Sequence, residues 1–376
     1  MIYLDAAATS ATRTEVLHEM WPYLTGEFGN PSSHHHVGEH AARALAGARA
    51  QVARWLGCRT NEIVFTSGGT EADNLAIKGI CLARPRGRHV VTSAIEHPAV
   101  LESCDYLRRQ HGFEVTILGV DSDGMIDLDE AAKALGPDTT LCTVMLANNE
   151  IGTVQPIAEL AELTRTRRVP IHTDAVQAAG TLDLRGLDVD AMSISGHKIG
   201  APKGIGALYL RGRVPVEALI HGGGQERARR SGTENLAGAV GLAAAVSHTD
   251  PADAERLAGL RDEFIADVTA AMPEAVLTGH RERRLPGHAS FCFPGTSGEA
   301  VLLHLEQDHD VICSSGSACA AGSTEPSPVL LAMGLSAEVA HTAVRFTFGP
   351  TTTADDLRSA ARGVGHAVAS VRNLVR

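Results

Sequence analysis

The chain has 376 residues, enough for two or three domains or for one large α/β domain with a smaller companion. Hydrophobic residues make up 44% and aromatic residues only 4%, which predicts an aliphatic core and argues against disorder and against stacking platforms for nucleic acids. Because the formal net charge is −11, there is no overall basic field, and direct binding to nucleic acid is not expected.

The N-terminus and the cysteines indicate the compartment. The first residues, MIYLDAAATS, lack the basic start and apolar run of a signal peptide, and no stretch of about 18 apolar residues could span a bilayer. The seven cysteines have irregular spacing and no C-x-x-C pair, which favours neither a disulfide framework nor a zinc site. We expect a cytoplasmic, soluble protein with reduced thiols, no membrane contact and no bound metal.

Short apolar runs alternate with segments of helical period through the first part of the chain. Strands are predicted at 62–66, 89–92, 114–118, 141–146, 170–173, 191–193 and 206–210, and the clearest helices at 70–82 and 156–167. This alternation is typical of a mainly parallel sheet between two layers of helices. After the Gly-rich residues 221–225, helical segments continue to about residue 272, followed by strands at 289–293 and 343–348 and a closing helix at 353–374. A smaller α+β domain is therefore expected to begin near residue 247.

The triplet His34-His35-His36 could suggest a metal site. It lies in a turn that contains Ser and Pro, and no carboxylate is spaced around it as a further ligand. A solvated loop is the favoured interpretation.

Ligands of open α/β sheets bind beyond the carboxyl ends of the strands, so the residues after each predicted strand are candidates. The first strand is followed by residues 67–71, SGGTE, where two glycines and a helix start at Thr70 suit a single phosphate group. An ordinary helix cap would have the same sequence, and neither a nucleotide P-loop nor a G-x-G-x-x-G motif occurs. His97 and Asn148 follow two further strands, where such residues are often only turn or cap residues.

Two charged residues at strand ends are more informative. Asp174 follows a strand amid Ala and Val, where a carboxylate needs a cation or a donor, although a helix cap is the alternative. Lys198 is one of only four lysines among 33 basic residues, and it follows the strand at 191–193. Ser195 and Lys198 match the S-x-x-K of serine acylases, but the companion motifs S-D-N and K-T-G are absent. A lysine facing a phosphate loop and a buried Asp indicates an aldehyde cofactor held through a Schiff base.

The motifs along the chain resemble those of a known family. The chain carries, in order, the motifs YLDAAAT, TSGGTEADNLAI, AIEHPAV, NNEIGTVQPI, HTDAVQAAG, SGHKIGAPKG, RRSGTEN, SSGSAC followed by EPS, and VRFTFG. These resemble the cysteine desulfurases of the NifS/IscS class, which are fold-type I pyridoxal phosphate enzymes. The resemblance runs from Tyr3 to the last helix. It implies a large cofactor-binding α/β domain at 13–246 with a seven-stranded sheet, and a small α+β domain formed by 1–12 and 247–376.

The resemblance also implies roles for single residues. Lys198 would bond to pyridoxal 5'-phosphate, Asp174 would keep the ring nitrogen protonated, and His97 would stack on the ring and move protons. Gln177 would donate a hydrogen bond to the phenolic oxygen of the ring. The phosphate would be held by Gly69, Thr70, Ser195, His197 and, from the second subunit of a homodimer with shared active sites, Thr233. Asn148 would contact the cofactor and also orient the substrate L-cysteine. Arg345 would bind the carboxylate of the substrate.

Cys319 coincides with the nucleophile of that class. Among the seven cysteines it alone lies in a Gly/Ser-rich loop, at 314–323, while Cys313 at a strand end is the nearest rival. Cys319 would receive sulfur as a persulfide, leaving L-alanine, and pass the sulfur to an acceptor protein. An iron–sulfur scaffold, a tRNA-thiolating enzyme and a DNA-modifying complex all remain open as acceptor.

Three other functions stay open on the sequence alone. An aminotransferase or lyase of the same fold would share Lys198 and Asp174 but would not need Cys319. A selenocysteine lyase would share nearly every residue. A catalytically idle sulfur-carrier scaffold would keep the fold for partner binding only.

Overall fold

A computed structural model describes residues 1–316 and 325–375. In the first half of the chain, strands and helices alternate. In chain order they are β1 (Ile2–Tyr3), α1 (Thr14–Leu24), α2 (His36–Leu56), β2 (Ile63–Thr66), α3 (Gly69–Ala83), β3 (His89–Ser93), α4 (Pro98–His111), β4 (Glu114–Leu118), α5 (Leu128–Ala134), β5 (Thr139–Thr143), α6 (Ile157–Arg167), β6 (Ile171–Asp174), β7 (Ala191–Ser195) and β8 (Gly206–Leu210).

Helices predominate after β8. The elements are α7 (Leu236–Ser247), α8 (Pro251–Ala271), β9 (Val276–Leu277), β10 (His288–Cys292), α9 (Gly298–His309), β11 (Val311–Ile312), α10 (Pro328–Ala332), α11 (Ala337–Ala340), β12 (Ala343–Thr347) and α12 (Ala354–Val375). Among the residues that the structure describes, no helix is both long enough and apolar enough to cross a membrane.

The main sheet has seven strands in the order β2-β8-β7-β6-β5-β3-β4. Strands β4, β3, β5, β6 and β7 run parallel, whereas β8 is antiparallel to both of its neighbours. The carboxyl ends of β2 and of the five parallel strands therefore lie at one edge of the sheet, where ligands of such folds bind. The expected mainly parallel α/β sheet is confirmed.

The remaining strands form two small sheets and were only partly expected. Strands β12, β10 and β9 form an antiparallel sheet, and the first strand β1 pairs in parallel with β11. The strands β1, β9 and β11 have two residues each; β1 and β9 were not predicted, whereas β11 is the strand expected before Cys313. Because β1 joins β11, the N-terminal segment is carried to the part of the chain that contains Arg345.

The two largest clusters of the buried core differ in their content of aromatic residues. The largest buried cluster is built from Ala, Val, Leu and Ile and draws on residues between Val16 and Val246, together with Leu285. A second cluster combines Leu4 with residues from Leu257 onward. Within it, the rings of Phe264 and Phe346 meet edge to face with their centroids 5.1 Å apart. The expected aliphatic core is confirmed, since both clusters consist mainly of Ala, Val, Leu and Ile, but the C-terminal cluster also contains five phenylalanines.

The histidine triplet has a structural role at a helix start. His36 begins α2, and the Nδ1 atom of His35 accepts a hydrogen bond from the backbone N–H of Gly38 at 3.2 Å. His35 is thus the N-cap of α2.

Candidate active site

Several predicted site residues lie at the carboxyl edge of the main sheet. Asp174 is the last residue of β6 and Ser195 the last residue of β7. Ser195 and Thr66, the last residue of β2, both pair with Gly206 of β8. The residues after β2 are thereby brought close to Ser195.

Helix α3 begins at this edge without a side-chain cap. Its N-cap residue is Gly68, and no side chain accepts a hydrogen bond from the first turn there. The helices α4, α7 and α9, by contrast, are capped by His97, Asn235 and Ser297. The first N–H groups of α3 therefore remain available to an anion.

The loop before α3 is tightly packed against the neighbouring strand ends. A Cβ atom on Gly69 would lie 2.6 Å from Cγ2 of Val176, whereas a Cβ on Gly68 would have only Ser195 Oγ nearby, at 3.9 Å. A side chain at position 69 would push Val176 away, and Val176 follows Asp174 by two residues. The backbone at this point forms a cradle that fits a small anionic group.

An ion pair borders the first turn of α3. Glu71 contacts Arg230, with Arg230 Nε 2.9 Å from Glu71 Oε1, and also accepts a hydrogen bond from the backbone N–H of Ser67. Burial opposes ionisation of Glu71, but the hydrogen bonds from Arg230 and Ser67 outweigh it and lower the pKa of this carboxyl. Arg230 was not predicted as a site residue, although it belongs to the RRSGTEN motif.

Asp174, His97 and Lys198 form an interacting group. Asp174 is buried, and its Oδ1 atom accepts a hydrogen bond from the N–H of Val176 at 2.8 Å. Burial raises the pKa of Asp174, while the Val176 hydrogen bond and the charges of His97 and Lys198 oppose this. Burial also lowers the pKa of His97, with Asp174 opposing and Lys198 adding to the shift. A cation close to Asp174 would favour its anionic form.

The Lys198 amine lies against the N-terminal segment. It donates hydrogen bonds to the carbonyl oxygens of Ala7 and, at 2.7 Å, of Ala8. Gln177 donates to the same Ala7 carbonyl through Nε2 at 3.0 Å. Lys198 and Gln177, both predicted from the sequence, thus line one cleft that also contains His288 and Thr347.

His197 is held as a neutral imidazole. Its Nδ1 atom lies 3.1 Å from Thr9 Oγ1. Burial, together with the charges of Lys198 and Lys203, lowers the pKa of His197 to about 4. At neutral pH the ring can therefore offer one N–H donor without adding a charge.

Asn148 is fully buried and uses its whole amide within the protein. Its Nδ2 atom donates to the carbonyl of Ile95 at 2.8 Å, and its Oδ1 atom accepts from the N–H groups of Glu150 and Ile151 at 2.8 and 2.9 Å. These bonds fix the loop after β5. A contact of Asn148 with substrate stays a prediction.

Arg345 lies on β12, away from the main sheet, but points to the N-terminal segment. Its Nη2 atom donates to Asp5 Oδ1 at 2.8 Å, and Nη1 donates to the carbonyl of Asn149 at 2.8 Å. Asp5 was not predicted as a site residue, because only the tertiary fold brings the first residues of the chain to β12.

Two further predicted site residues, Thr70 and Thr233, are exposed. Cys319 lies outside the described residues. The six described cysteines all have thiols whose pKa is raised by burial, to about 12 for Cys58, Cys104 and Cys142, to about 11 for Cys292, and further for Cys81 and Cys313. For Cys313, the nearby Asp5 carboxylate adds to the effect of burial.

Two buried carboxylates next to Asp174 were also missed. Glu96 accepts hydrogen bonds from Ser93 Oγ and from the N–H of Met145, and burial raises its pKa to about 8. Asp73 of α3 is buried, and burial together with the Asp174 charge raises its pKa well above the usual range. Both positions lie within motifs quoted above, but the sequence does not show that the two carboxyls interact electrostatically with Asp174.

Comparisons with known proteins agree with this geometry. The family model described as aminotransferase class-V matches residues 2–359. A protein of Dictyoglomus turgidum named cysteine desulfurase IscS is 46% identical over 363 residues, which cover 95% of this chain and 91% of that protein.

Solved structures show the same fold. One named NifS-like protein superposes with a TM-score of 0.91 at 33% identity, covering 98% of this chain and 99% of that chain. Another, titled SspA in complex with cysteine, has a TM-score of 0.83 at 36% identity and covers 94% and 100% of the two chains. The expected fold class, that of the fold-type I enzymes, is confirmed. The chain belongs to the class-V aminotransferase family and, within it, to the NifS/IscS group, whose named members are cysteine desulfurases.

Proposed function

We propose that this protein is a cysteine desulfurase that uses pyridoxal 5'-phosphate to remove sulfur from L-cysteine. The observation that carries the proposal is the interaction of the Lys198 amine, the buried Asp174 carboxylate and the His97 ring at one edge of the sheet. Relatives named cysteine desulfurase and a related structure in complex with cysteine support it.

The residues present fit the cofactor. Lys198 would hold its aldehyde carbon, Asp174 would pair with the protonated ring nitrogen, and His97 would lie on the ring. The uncapped N-terminus of α3 at Gly69 and Thr70, with Ser195 and the neutral His197, would hold the phosphate. Gln177 would bind the phenolic oxygen. When bound, the cofactor withdraws electrons from the substrate and makes its Cα proton acidic.

The protein groups then have separate tasks. The Ala7 and Ala8 carbonyls give the Lys198 amine a fixed position from which it can take and return a proton. Burial lowers the pKa of His97 and favours the neutral ring, which can accept a proton. Arg345 would bind the substrate carboxylate, and Asn148 would fix the loop that faces it.

Cys319 would take the sulfur. The C–S bond of cysteine breaks, an S–S bond forms on Cys319, and the freed carbon receives a proton, so that the products are L-alanine and the Cys319 persulfide. The carbon is reduced and the sulfur is oxidised by two electrons, with no other reactant needed. The raised thiol pKa of the six described cysteines supports this assignment, because a thiol is a poor nucleophile.

The finer organisation is also part of the proposal. The domains would be 13–246 and the combination of 1–12 with 247–376, in agreement with the two largest buried clusters. The exposed position of Thr233 supports a contact with the phosphate of a second subunit in a homodimer. The sulfur acceptor would be an iron–sulfur scaffold or a thiolation enzyme, in the cytoplasm, where thiols stay reduced.

The direct test compares two lysines five residues apart. The cofactor-loaded protein should convert L-cysteine to L-alanine and, with a reductant, release sulfide. Lys198→Ala should lose both products, whereas Lys203→Ala, altered at an exposed position, should keep them. Equal alanine formation by the wild type and Lys198→Ala would contradict the proposal.

A further inference from the structure

The surroundings of Arg345 suggest how a ligand is selected. Arg345 is 3% exposed, and among the described residues Asp5 is the carboxylate with which it forms an ion pair. Its Nη1 atom is engaged by the Asn149 carbonyl, which also lies 3.3 Å from His288 Nε2. The guanidinium is thereby held from two sides.

The guanidinium of Arg345 has hydrogen-bond donors that no described residue uses. The buried Nε atom has no hydrogen-bond partner within the described part of the chain. Nη2 gives one hydrogen to Asp5 and has a second. Since Nε and Nη2 form one fork of an arginine, this edge matches a carboxylate. An unpaired buried N–H is unfavourable, and a ligand carboxylate would satisfy it.

Asp5 determines the net charge around Arg345. A second carboxyl, Glu150, also interacts with Arg345, but burial raises its pKa and favours its neutral form. Glu150 further accepts a hydrogen bond from Ser327 Oγ. The charge of Arg345 is therefore balanced by Asp5, and a ligand carboxylate entering beside the pair would add one negative charge in excess.

We propose that Asp5 is a specificity-determining residue, which makes the Arg345 site accept zwitterionic amino acids and reject carboxylates that lack an ammonium group. A zwitterion carries an ammonium group, whose positive charge compensates the excess negative charge of its carboxylate. A plain carboxylate meets the repulsion of Asp5 in a weakly screened environment. The inference rests on the proposed function, because it takes Arg345 as the residue that binds the substrate carboxylate.

The test uses two thiols that each carry one of the two charged groups of cysteine. One is 3-mercaptopropionate, which has the carboxylate without the amine, and the other is cysteamine, which has the amine without the carboxylate. Their dissociation constants are measured by calorimetry on the cofactor-loaded protein. In Asp5→Asn we expect 3-mercaptopropionate to bind about tenfold more tightly, because like-charge repulsion is removed. The affinity for cysteamine should not rise.

Controls separate charge from structure. Asp5→Glu keeps the charge and should keep the wild-type preference. Asp183→Asn removes a carboxylate from an exposed Asp–Arg pair with the same 2.8 Å separation, at Arg185, and should change neither constant. If Asp5→Asn folds poorly, Asp5→Ser, which also removes the charge, takes its place and should bind 3-mercaptopropionate more tightly than the wild type.

Two results would overturn the inference. One is weaker or unchanged binding of 3-mercaptopropionate to Asp5→Asn, which would make Asp5 only a support for Arg345. The other is loss of the wild-type preference in Asp5→Glu. Because the wild type is assayed for alanine formation in parallel, a failure of the proposed function would be recognised separately, as absence of alanine from every preparation.

Discussion

Asp174 and Asp5 are both carboxylates beside basic groups, but their surroundings differ. Asp174 is buried at the end of β6, and Asp5 is partly exposed and paired with Arg345. Asp174, Lys198 and His97 could be predicted from the sequence, because each follows a strand of a regular alternation. Asp5, Asp73 and Glu96 could not, because Arg345, Asp174 and Met145, with which they respectively interact, lie far away in the sequence. Cys319 was singled out by its loop composition and lies outside the described residues.

At the residue scale, Asp174→Asn should reduce turnover by about a hundredfold or more while leaving the fold intact. An amide oxygen can still accept the hydrogen bond from Val176, but a neutral side chain cannot stabilise a protonated ring nitrogen. Steady-state alanine formation and thermal unfolding of the same preparation measure the two effects. A variant that keeps most of the wild-type rate would mean that Asp174 only caps the following turn.

At the element scale, the alternation of strands and helices was predicted well and the strand limits less well. The predicted strand 141–146 is observed as Thr139–Thr143, because pairing with β3 begins at the polar Thr139. The antiparallel direction of β8 cannot be seen in its sequence, since a buried strand has the same composition in either direction. The two-residue strands have no periodicity to detect.

Glu96 links the loop after β3 to the chain after β5 by accepting a hydrogen bond from the N–H of Met145. The titration of Glu96 should therefore change the free energy of unfolding with pH. Burial raises its pKa from 4.5 to about 8, so the folded state retains a proton that the unfolded chain loses. Its contribution to stability is therefore present in acid and falls as the pH rises from about 5 to about 8, by about 1.4 kcal/mol per unit. Glu96→Gln, which stays neutral, should gain stability relative to the wild type over this range.

Glu62 provides a control of opposite sign. Burial opposes its ionisation, but hydrogen bonds from Arg59 and Gly212 lower its pKa to about 2. Its contribution is present above the unfolded pKa and is lost as the pH falls towards about 2. Urea unfolding of Glu62→Gln should therefore show a loss of stability at neutral pH that shrinks in acid.

For Glu96→Gln, a difference in stability from the wild type that does not change with pH would contradict a buried, protonated Glu96.

At the scale of the whole molecule, the N-terminal segment connects the two parts of the chain. Residues 5–8 reach Arg345 through the Asp5 side chain and Lys198 through the carbonyls of Ala7 and Ala8. The seven-stranded α/β architecture followed from the sequence, and the resemblance implied that residues 1–12 join the small domain. The individual contacts to Arg345 and Lys198 were not predicted, because the two-residue pairing between β1 and β11 leaves no pattern.

If the active site is shared between two subunits, as proposed, assembly and cofactor binding should be coupled. Pyridoxal phosphate should stabilise the dimer by mass action, since it would bind a site completed by Thr233 of the second subunit. Sedimentation velocity with and without cofactor measures this, and Thr233→Ala should weaken cofactor retention without unfolding the protein. A monomer that holds cofactor at full occupancy and turns over cysteine would show that Thr233 acts within its own chain or not at all.

The central claim is that sulfur moves from L-cysteine to Cys319. The most direct measurement incubates the cofactor-loaded protein, without reductant, with L-cysteine that carries a heavy sulfur isotope, and analyses alanine and the peptide masses. We predict one labelled sulfur on the peptide that contains Cys319, in proportion to the L-alanine formed, and neither label nor sustained turnover in Cys319→Ser. Label on another cysteine, or alanine formed at the wild-type rate by Cys319→Ser, would contradict the account.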